Sequence, residues 1–315
     1  MKKLIYISIY FFSMINILNA EKINTQFFDD VNTFLKVEVK DGLVNYGALK
    51  GDAQLQSLIT KVENADLAGT TDATKKAFYI NAYNLIVIKA AADLYPLQSV
   101  QAVGGFFDGK KHTVAGEKMT LNDLEKKKLL APYGDARLHF VLVCGALGCP
   151  PITNFAYSPT LLDAQLDQQT KLAINNPEFL KVEGSNVKLS QIFNWYASDF
   201  GGNKNAVLNY INQYRSSALP SNAKVGYYNY DWSLNDASNA SSINLNNNSG
   251  ANSSRYIVSS TIPKGSSEIK IFNNLYSQRT GSEGNLTDRS TFFTTSLSYL
   301  YGLNNNFNIG FSTRY

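Results

Sequence analysis

The chain has 315 residues, a net charge of +4, 44% hydrophobic residues and only 17% charged ones. That apolar content excludes wholesale disorder, and so small a positive excess excludes a polybasic nucleic-acid-binding protein. Two Cys and two His cannot build a Cys/His zinc cluster beside a separate catalytic site, so neither a metal nor a cofactor is expected.

Residues 1–20, MKKLIYISIYFFSMINILNA, join a basic start at Lys2 and Lys3 to an apolar stretch from Leu4 to Leu18 and a small residue, Ala20. This is the pattern of a secretory signal peptide, with an uncleaved anchor as the alternative. It directs the protein to the periplasm or the outer membrane. Residues 21–234 have globular composition. Apolar spacing of three and four predicts helices over 26–39 and 53–65, with Gly42 to Tyr46 a short strand or turn between them. The clearest helix spans 74–94, carries Ala77, Phe78, Ala82, Leu85, Ile86 and Ala90 as apolar positions, and stops at Tyr95-Pro96. Asn81, Tyr83 and Asn84 interrupt it. Asn disfavours a helix interior, so these amides either satisfy core backbone or face a cleft.

Residues 106–121 read as two short strands around Gly116, with His112 on the first. Gly104 to Lys110 has the spacing of a phosphate loop. Lys111 stands where Ser or Thr is needed and no helix follows, so no nucleotide is expected. Thr120-x-x-Asp123 has the form of a capping box opening a helix from Leu121 to Leu130. Arg137 to Cys144 is a continuous apolar run, read as a strand at the centre of a sheet, with Phe140, Val141, Leu142 and Val143 all buried. Helices at 158–174 and 203–215 follow. Helices and strands mix without a strict βαβ rhythm, which predicts an α+β (irregular α/β) globular domain.

The far end differs in kind. Residues 235–254 hold seven Asn and six Ser and read as a linker. Beyond it, over 255–315, Phe293, Thr295, Leu297, Tyr299 and Tyr301 alternate with small or polar residues, and Phe307, Ile309, Phe311 and Thr313 do the same. About three strands of a C-terminal antiparallel β segment fit there. The two-sided pattern is that of an outer-membrane barrel strand, with a soluble hairpin as the alternative. Three strands leave open edges that lipid cannot accommodate, so the segment reads as the opening portion of a barrel, expected either of a fragment or fusion or of a tail that assembles with other chains.

Cys149 is the better candidate nucleophile, because it precedes Pro150 where a turn or helix start lowers a thiol pKa. A disulfide with Cys144 suits an oxidising envelope. A strand-end Cys144 pointing into a sheet and a Cys149 loop stiffened by Pro150-Pro151 predict instead two unbonded cysteines, Cys144 buried and Cys149 at a cleft rim. The nucleophile needs a base within about 3 Å. A strand from His139 to Cys144 spans about 17 Å, which favours His112 as base over His139. His139 then stays a second catalytic candidate or a core histidine, and Asn84 the orienting or oxyanion group. Arg137 is expected to hold Glu125 or Asp135 through a bidentate pair.

Taken together, Phe78-Tyr-Ile-Asn-Ala-Tyr-Asn84, Val114-Ala-Gly116, Leu121-Asn-Asp-Leu-Glu125, Asp135-Ala-Arg137-Leu-His-Phe140, Cys144 to Pro151 and Leu189-Ser-Gln-Ile-Phe193 resemble the domain-of-unknown-function family DUF547, of bacterial envelopes and plants. The run Tyr227 to Leu234 closes the domain in the same style, so the resemblance covers about 25–234. Arg289 to Phe293 and Asn308 to Gly310 are similar to early strands of Bacteroidetes-type outer-membrane barrels. The DUF547 resemblance implies a papain- or transglutaminase-like fold with the Asn81–Asn84 helix at its centre. Two departures stand out: Lys126 where the family commonly has His, and Asn45 where it has Asp. Two functions compete. One is a thiol-dependent amide hydrolase or acyl transferase using Cys149, His112, Asn84 and His139. The other is a non-catalytic envelope module binding a peptide or glycan through Asn81, Tyr83, Glu125 and Arg137. In either case nucleic acid is not a partner, and the outer membrane is one through 255–315.

Overall fold

A computed structural model describes residues 21–220, 222–239, 267–280, 288–304 and 307–314. The signal-peptide-like segment 1–20 and residues 240–254 of the Asn/Ser-rich stretch lie outside the described residues. Two compact units divide between Ala240 and Ser241.

The first unit opens with β1 (Glu21–Lys22), α1 (Thr25–Glu38), β2 (Val39–Lys40), β3 (Leu43–Val44), α2 (Tyr46–Leu49), α3 (Ala53–Glu63), β4 (Ala65–Asp66) and α4 (Asp72–Asp93). In α1 the residues Phe27, Phe28, Val31, Phe34 and Leu35 make one buried stripe, as an amphipathic surface helix requires. Thr71 caps α4 by accepting from Thr74 N, and fourteen residues of α4 are buried, so this helix is enclosed on nearly all sides. The β5 (Lys111–Val114) and β6 (Glu117–Thr120) hairpin leads into α5 (Leu121–Asp123), a π-helix (Leu124–Leu130) and α6 (Ala131–Tyr133). The capping box expected from Thr120 and Asp123 is present, with both reciprocal bonds made. A 3-10 helix (Ala136–Phe140), α7 (Leu162–Asn175), β7 (Leu180–Glu183), β8 (Asn186–Leu189), α8 (Ile192–Trp195), a second 3-10 helix (Ala197–Phe200), α9 (Lys204–Tyr214) and β9 (Lys224–Tyr227) complete the unit.

The fold is α+β, but its strands are dispersed. In this unit they form the pairs β1–β4, β2–β3 and β5–β6 and one three-stranded sheet, β7–β8–β9. The expected central strand from Arg137 to Cys144 is corrected: residues 136–140 are a 3-10 helix and 141–144 an irregular turn. Phe140, Val141, Leu142 and Val143 are all buried, so the apolar run was a true core signal carrying the wrong conformation. The reason lies in the hydrogen bonds. Asp135 accepts from Arg137 N and starts the 3-10 turn, while Asn84 Nδ2 donates to Val141 O and Asn84 Oδ1 accepts from Val143 N. A side chain thus takes the backbone groups that a neighbouring strand would have paired.

One core surrounds α4, including Phe27, Phe34, Leu55, Phe78 and Leu85. A second gathers Phe140, Phe179, Phe193, Phe200, Val207 and Ile211 between α9 and the β7–β8 region. In the second unit, β10 (Ser267–Thr280), β11 (Asp288–Asn304) and β12 (Phe307–Arg314) form an antiparallel sheet. Its register pairs Ile271 with Leu297 and Leu275 with Phe293, and Tyr299 with Phe311 and Tyr301 with Ile309. Among the described residues no helix is long and apolar enough to cross a membrane.

Candidate functional site

The loop from Cys144 to Pro151 is held by the segment that closes the unit. Leu147 N donates to Ser233 O and Gly148 N to Asp231 O, both at 2.8 Å, and Asn235 N donates to Gly145 O at 3.1 Å. Asn235 Oδ1 also accepts from the buried Tyr46 hydroxyl at 2.7 Å. Gly145 sits at φ +79°, where the chain reverses, and a Cβ there would press on Val100 and Val87. At Gly148 an added Cβ would stand 2.9 Å from the Tyr230 ring. The loop therefore lies flat against Tyr230.

That reversal brings the two sulfurs together. Cys144 and Cys149 form a disulfide, which corrects the expectation of two unbonded thiols. The expected exposures are also exchanged: Cys149 is the buried one, at 8% exposure, and Cys144 is partly exposed. Both expectations rested on the strand that the 3-10 turn replaces. Cys149 Sγ accepts from the Tyr230 hydroxyl at 2.9 Å and from Cys144 N at 3.1 Å.

Beside the loop lies a polar cluster drawn from four elements. Glu125, the second residue of the π-helix, is 8% exposed. Its carboxyl accepts from the Tyr196 hydroxyl at 2.9 Å and, at a long 3.4 Å, from the Tyr83 hydroxyl on α4. Among the described residues no Lys, Arg or His pairs with it. Single π-turns recur at functional sites because they re-aim one side chain without ending the helix. The phenols of Tyr83 and Tyr196 are pushed up from their ordinary values by burial first and by Glu125 second, so both stay protonated as donors. The Tyr196 ring packs on the His139 ring with centroids 4.1 Å apart. His139 Nε2 lies 2.8 Å from Asp199 Oδ2, so the proton sits on Nε2 when the ring is neutral. Burial lowers the His139 pKa, and the Asp199 hydrogen bond opposes that shift.

Over this cluster three aromatic rings form a shelf. Tyr230 packs on Trp232 at 4.7 Å and on Trp195 at 5.0 Å, and the two indoles are stacked at 5.9 Å with 26° between planes. Trp195 remains 49% exposed. Burial, followed by neighbouring Tyr228, pushes the Tyr230 phenol up, so it too keeps its proton.

The other expected site residues serve elsewhere. Asn81 and Asn84 satisfy backbone: Asn81 bonds Ala77 O and both backbone groups of Tyr157, and Asn84 holds the Val141–Val143 turn. Arg137 makes the expected bidentate pair with Asp135, not Glu125, and its remaining donors reach Asp163 and Asp167. His112 lies on β5, its Nε2 buried without a hydrogen-bond partner among the described residues, and burial, then Lys110, lowers its pKa to about 4. No hydrogen bond joins His112 or His139 to either cysteine among the described residues. Lys126 is exposed, and Asn45 caps α2 by accepting from Ala48 N. A separate groove is lined by Asp72, Lys76, Tyr133, Pro159, Leu162 and Asp163, but Lys76 and Asp163 are already ion-paired.

Trp195, Tyr196, Asp199, Tyr230 and Trp232 were not singled out as site residues from the sequence. The usable signal was the aromatic density of 193–200 and 227–232, which contains both tryptophans of the chain.

Residues 67–172 match the family described as Protein of unknown function, DUF547. The match supports the resemblance carried by the motifs. It runs from just before α4 into α7, so the DUF547 stretch supplies Tyr83, Glu125, His139 and the disulfide loop. Tyr196, Asp199 and the shelf come from beyond it. No curated protein and no solved structure matches the chain.

Proposed function

We propose that this protein is a cell-envelope binding module whose aromatic shelf takes a glycan. The observation that supports the reading is the half-exposed Trp195, stacked on the partly buried Trp232, with Tyr230 tilted against both. Flat indole faces complement the apolar C–H face of a pyranose, while hydroxyls at the rim find polar partners. The disulfide, the lack among the described residues of any hydrogen bond from either histidine to a cysteine, and the engagement of the Asn84 amide in backbone bonds favour binding over thiol-dependent amide hydrolysis or acyl transfer. Secretion guided by residues 1–20, with an outer-membrane role for the period-two C-terminal sheet, supplies the setting.

The chain has only two tryptophans, and both belong to the shelf, so its tryptophan fluorescence reports this surface alone. Titration with soluble oligosaccharides from cell-wall glycan should change that emission saturably. Trp195→Ala should weaken binding about tenfold or more, the scale of a lost aromatic anchor. A response to short wall peptides but to no saccharide would transfer the site to peptide binding. Equal affinity in wild type and Trp195→Ala would remove the shelf from the function.

A further inference from the structure

The disulfide loop carries an asymmetry that glycan binding does not use. Cys149 Sγ is the buried sulfur and receives two donors, the Tyr230 hydroxyl at 2.9 Å and the Cys144 N–H at 3.1 Å. Cys144 is the partly exposed residue of the pair, and among the described residues its sulfur meets the same Tyr230 hydroxyl, farther away at 3.3 Å. Donors aimed at a sulfur stabilise it as a thiolate, and a stabilised thiolate is the better leaving group in thiol–disulfide exchange. The loop is also pinned independently of the sulfurs, through Leu147 N to Ser233 O, Gly148 N to Asp231 O and Asn235 N to Gly145 O. Opening the bond therefore leaves both cysteines in place.

We infer that Cys144–Cys149 is a thiol–disulfide exchange site with a fixed direction, taking a dithiol as its partner. A partner thiolate attacks Cys144 Sγ, the sulfur of the more exposed residue. The new partner–Cys144 bond forms as the Cys144–Cys149 bond breaks, and the electron pair leaves on Cys149 Sγ. There the Tyr230 hydroxyl and the Cys144 N–H receive it. The partner's second thiolate then attacks its own sulfur in the mixed disulfide and releases Cys144 as thiolate. The partner ends as a disulfide, oxidised by two electrons, and this chain as a dithiol, reduced by two. The two thiol protons of the partner pass through solvent to Cys144 and, at low enough pH, to Cys149. Tyr230 belongs both to the shelf and to the sulfur site, so the redox state of the pair sets the polar load on one shelf ring.

The test uses the full chain with two probes, glutathione and dithiothreitol. Brief reaction with glutathione, acid quenching and peptide mapping should place the mixed disulfide on Cys144 in about tenfold or greater excess over Cys149. Dithiothreitol should reduce the pair with no change in the far-ultraviolet dichroism. In the reduced chain, the pH dependence of alkylation should put the Cys149 thiol below the ordinary cysteine value of about 8.5, with Cys144 at or above it. Tyr230→Phe should raise the Cys149 midpoint by about one pH unit. The glutathione map and the titration of wild type decide the matter even if that variant does not fold. Glutathione on Cys149, a Cys149 midpoint at or above the ordinary value, or reduction only after denaturant is added would each overturn the inference and leave a structural staple. Saccharide titration is a separate readout, so this inference and the glycan reading fail separately.

Discussion

Two polar clusters flank α4, and they are built on opposite plans. Around Arg137 every charge is matched. The guanidinium meets Asp135, Asp163 and Asp167 within 2.9 Å, and Lys76 of α4 pairs with Asp135 from the other side. Burial pushes the Asp135 carboxyl up, but the Arg137 and Lys76 bonds outweigh it and hold the pKa at about 2. Around Glu125, among the described residues, nothing is matched by charge. A buried carboxyl is met by two phenol hydroxyls, one of them at 3.4 Å, with an imidazole–carboxyl pair behind. The first plan is a clamp, saturated and closed to further partners. The second leaves acceptor capacity beside an exposed aromatic surface, which is the condition of a group that still has something to bind.

Breaking the clamp should have the largest effect. Arg137→Ala strips Asp135 of its bidentate partner while that carboxyl stays mostly buried, and one partner lost from such a pair costs about 3–5 kcal/mol. Urea denaturation measures it; a cost below about 1 kcal/mol would show the clamp to be a solvated surface pair. The same cluster fixes an acid limb. The folded pKa of Asp135 is depressed, so its contribution is complete above the unfolded value of about 3.9 and is lost as pH falls from there toward 2. Asp135→Asn should flatten that limb.

Next in size is the Asn84 amide on α4. Asn84 holds Val141 O and Val143 N, both buried. Asn84→Ala orphans one donor and one acceptor and should cost about 2–4 kcal/mol. Its Cys144–Cys149 loop should also become easier to cleave by protease, because the turn leading into it loses the side-chain tether that Asn84 provides. Asn84→Asp, isosteric but able only to accept when ionised, should recover less than half of the loss.

How much of this was legible follows from which interactions are local. The α4 helix, its stop before Tyr95-Pro96 and the Thr120–Asp123 box are short-range patterns, and they stand as the residues predicted. Burial of 140–143 was legible too, since four consecutive apolar residues have nowhere else to go. Their conformation was not, because a short apolar run fits a buried strand or a buried turn equally well, and only Asn84, more than fifty positions earlier, selects the turn. The disulfide inherited that error. The shelf was hidden for a related reason: Trp195 and Trp232 meet only after α9 and β9 have folded back, and sequence does not reveal which aromatics of a rich run stay exposed. Asn81 and Asn84 were marked as odd for a sound reason, and their oddity turned out to serve backbone.

Glu125 offers the sharper contrast with Arg137. Having no cation, it contributes little through charge, so Glu125→Gln should change stability by less than about 1 kcal/mol, the amide oxygen still accepting from Tyr196. A loss as large as that of Arg137→Ala would mean an unrecognised positive partner and would erase the distinction between the clusters. The informative pattern is a stable Glu125→Gln protein whose shelf fluorescence responds differently to saccharide.

The smallest expected effect concerns the two histidines. Burial lowers the His139 pKa while Asp199 pulls it back, and burial with Lys110 nearby takes His112 to about 4. A histidine held below its unfolded value of about 6.5 binds its proton less readily in the folded state than in the unfolded one. Its stabilising contribution is therefore full above that value and declines as pH falls through it toward the folded pKa. The urea midpoint should drop modestly between pH 7.5 and 5, above the range where most carboxyls titrate. His112→Asn should remove the larger part of the slope, because no carboxyl offsets its burial. Asp199→Asn should steepen the slope instead, since it deletes the group that supports a protonated His139. If Asp199→Asn flattened the profile, Asp199 would not be supporting a protonated His139, and the imidazole–carboxyl pair behind Glu125 would lose its electrostatic role.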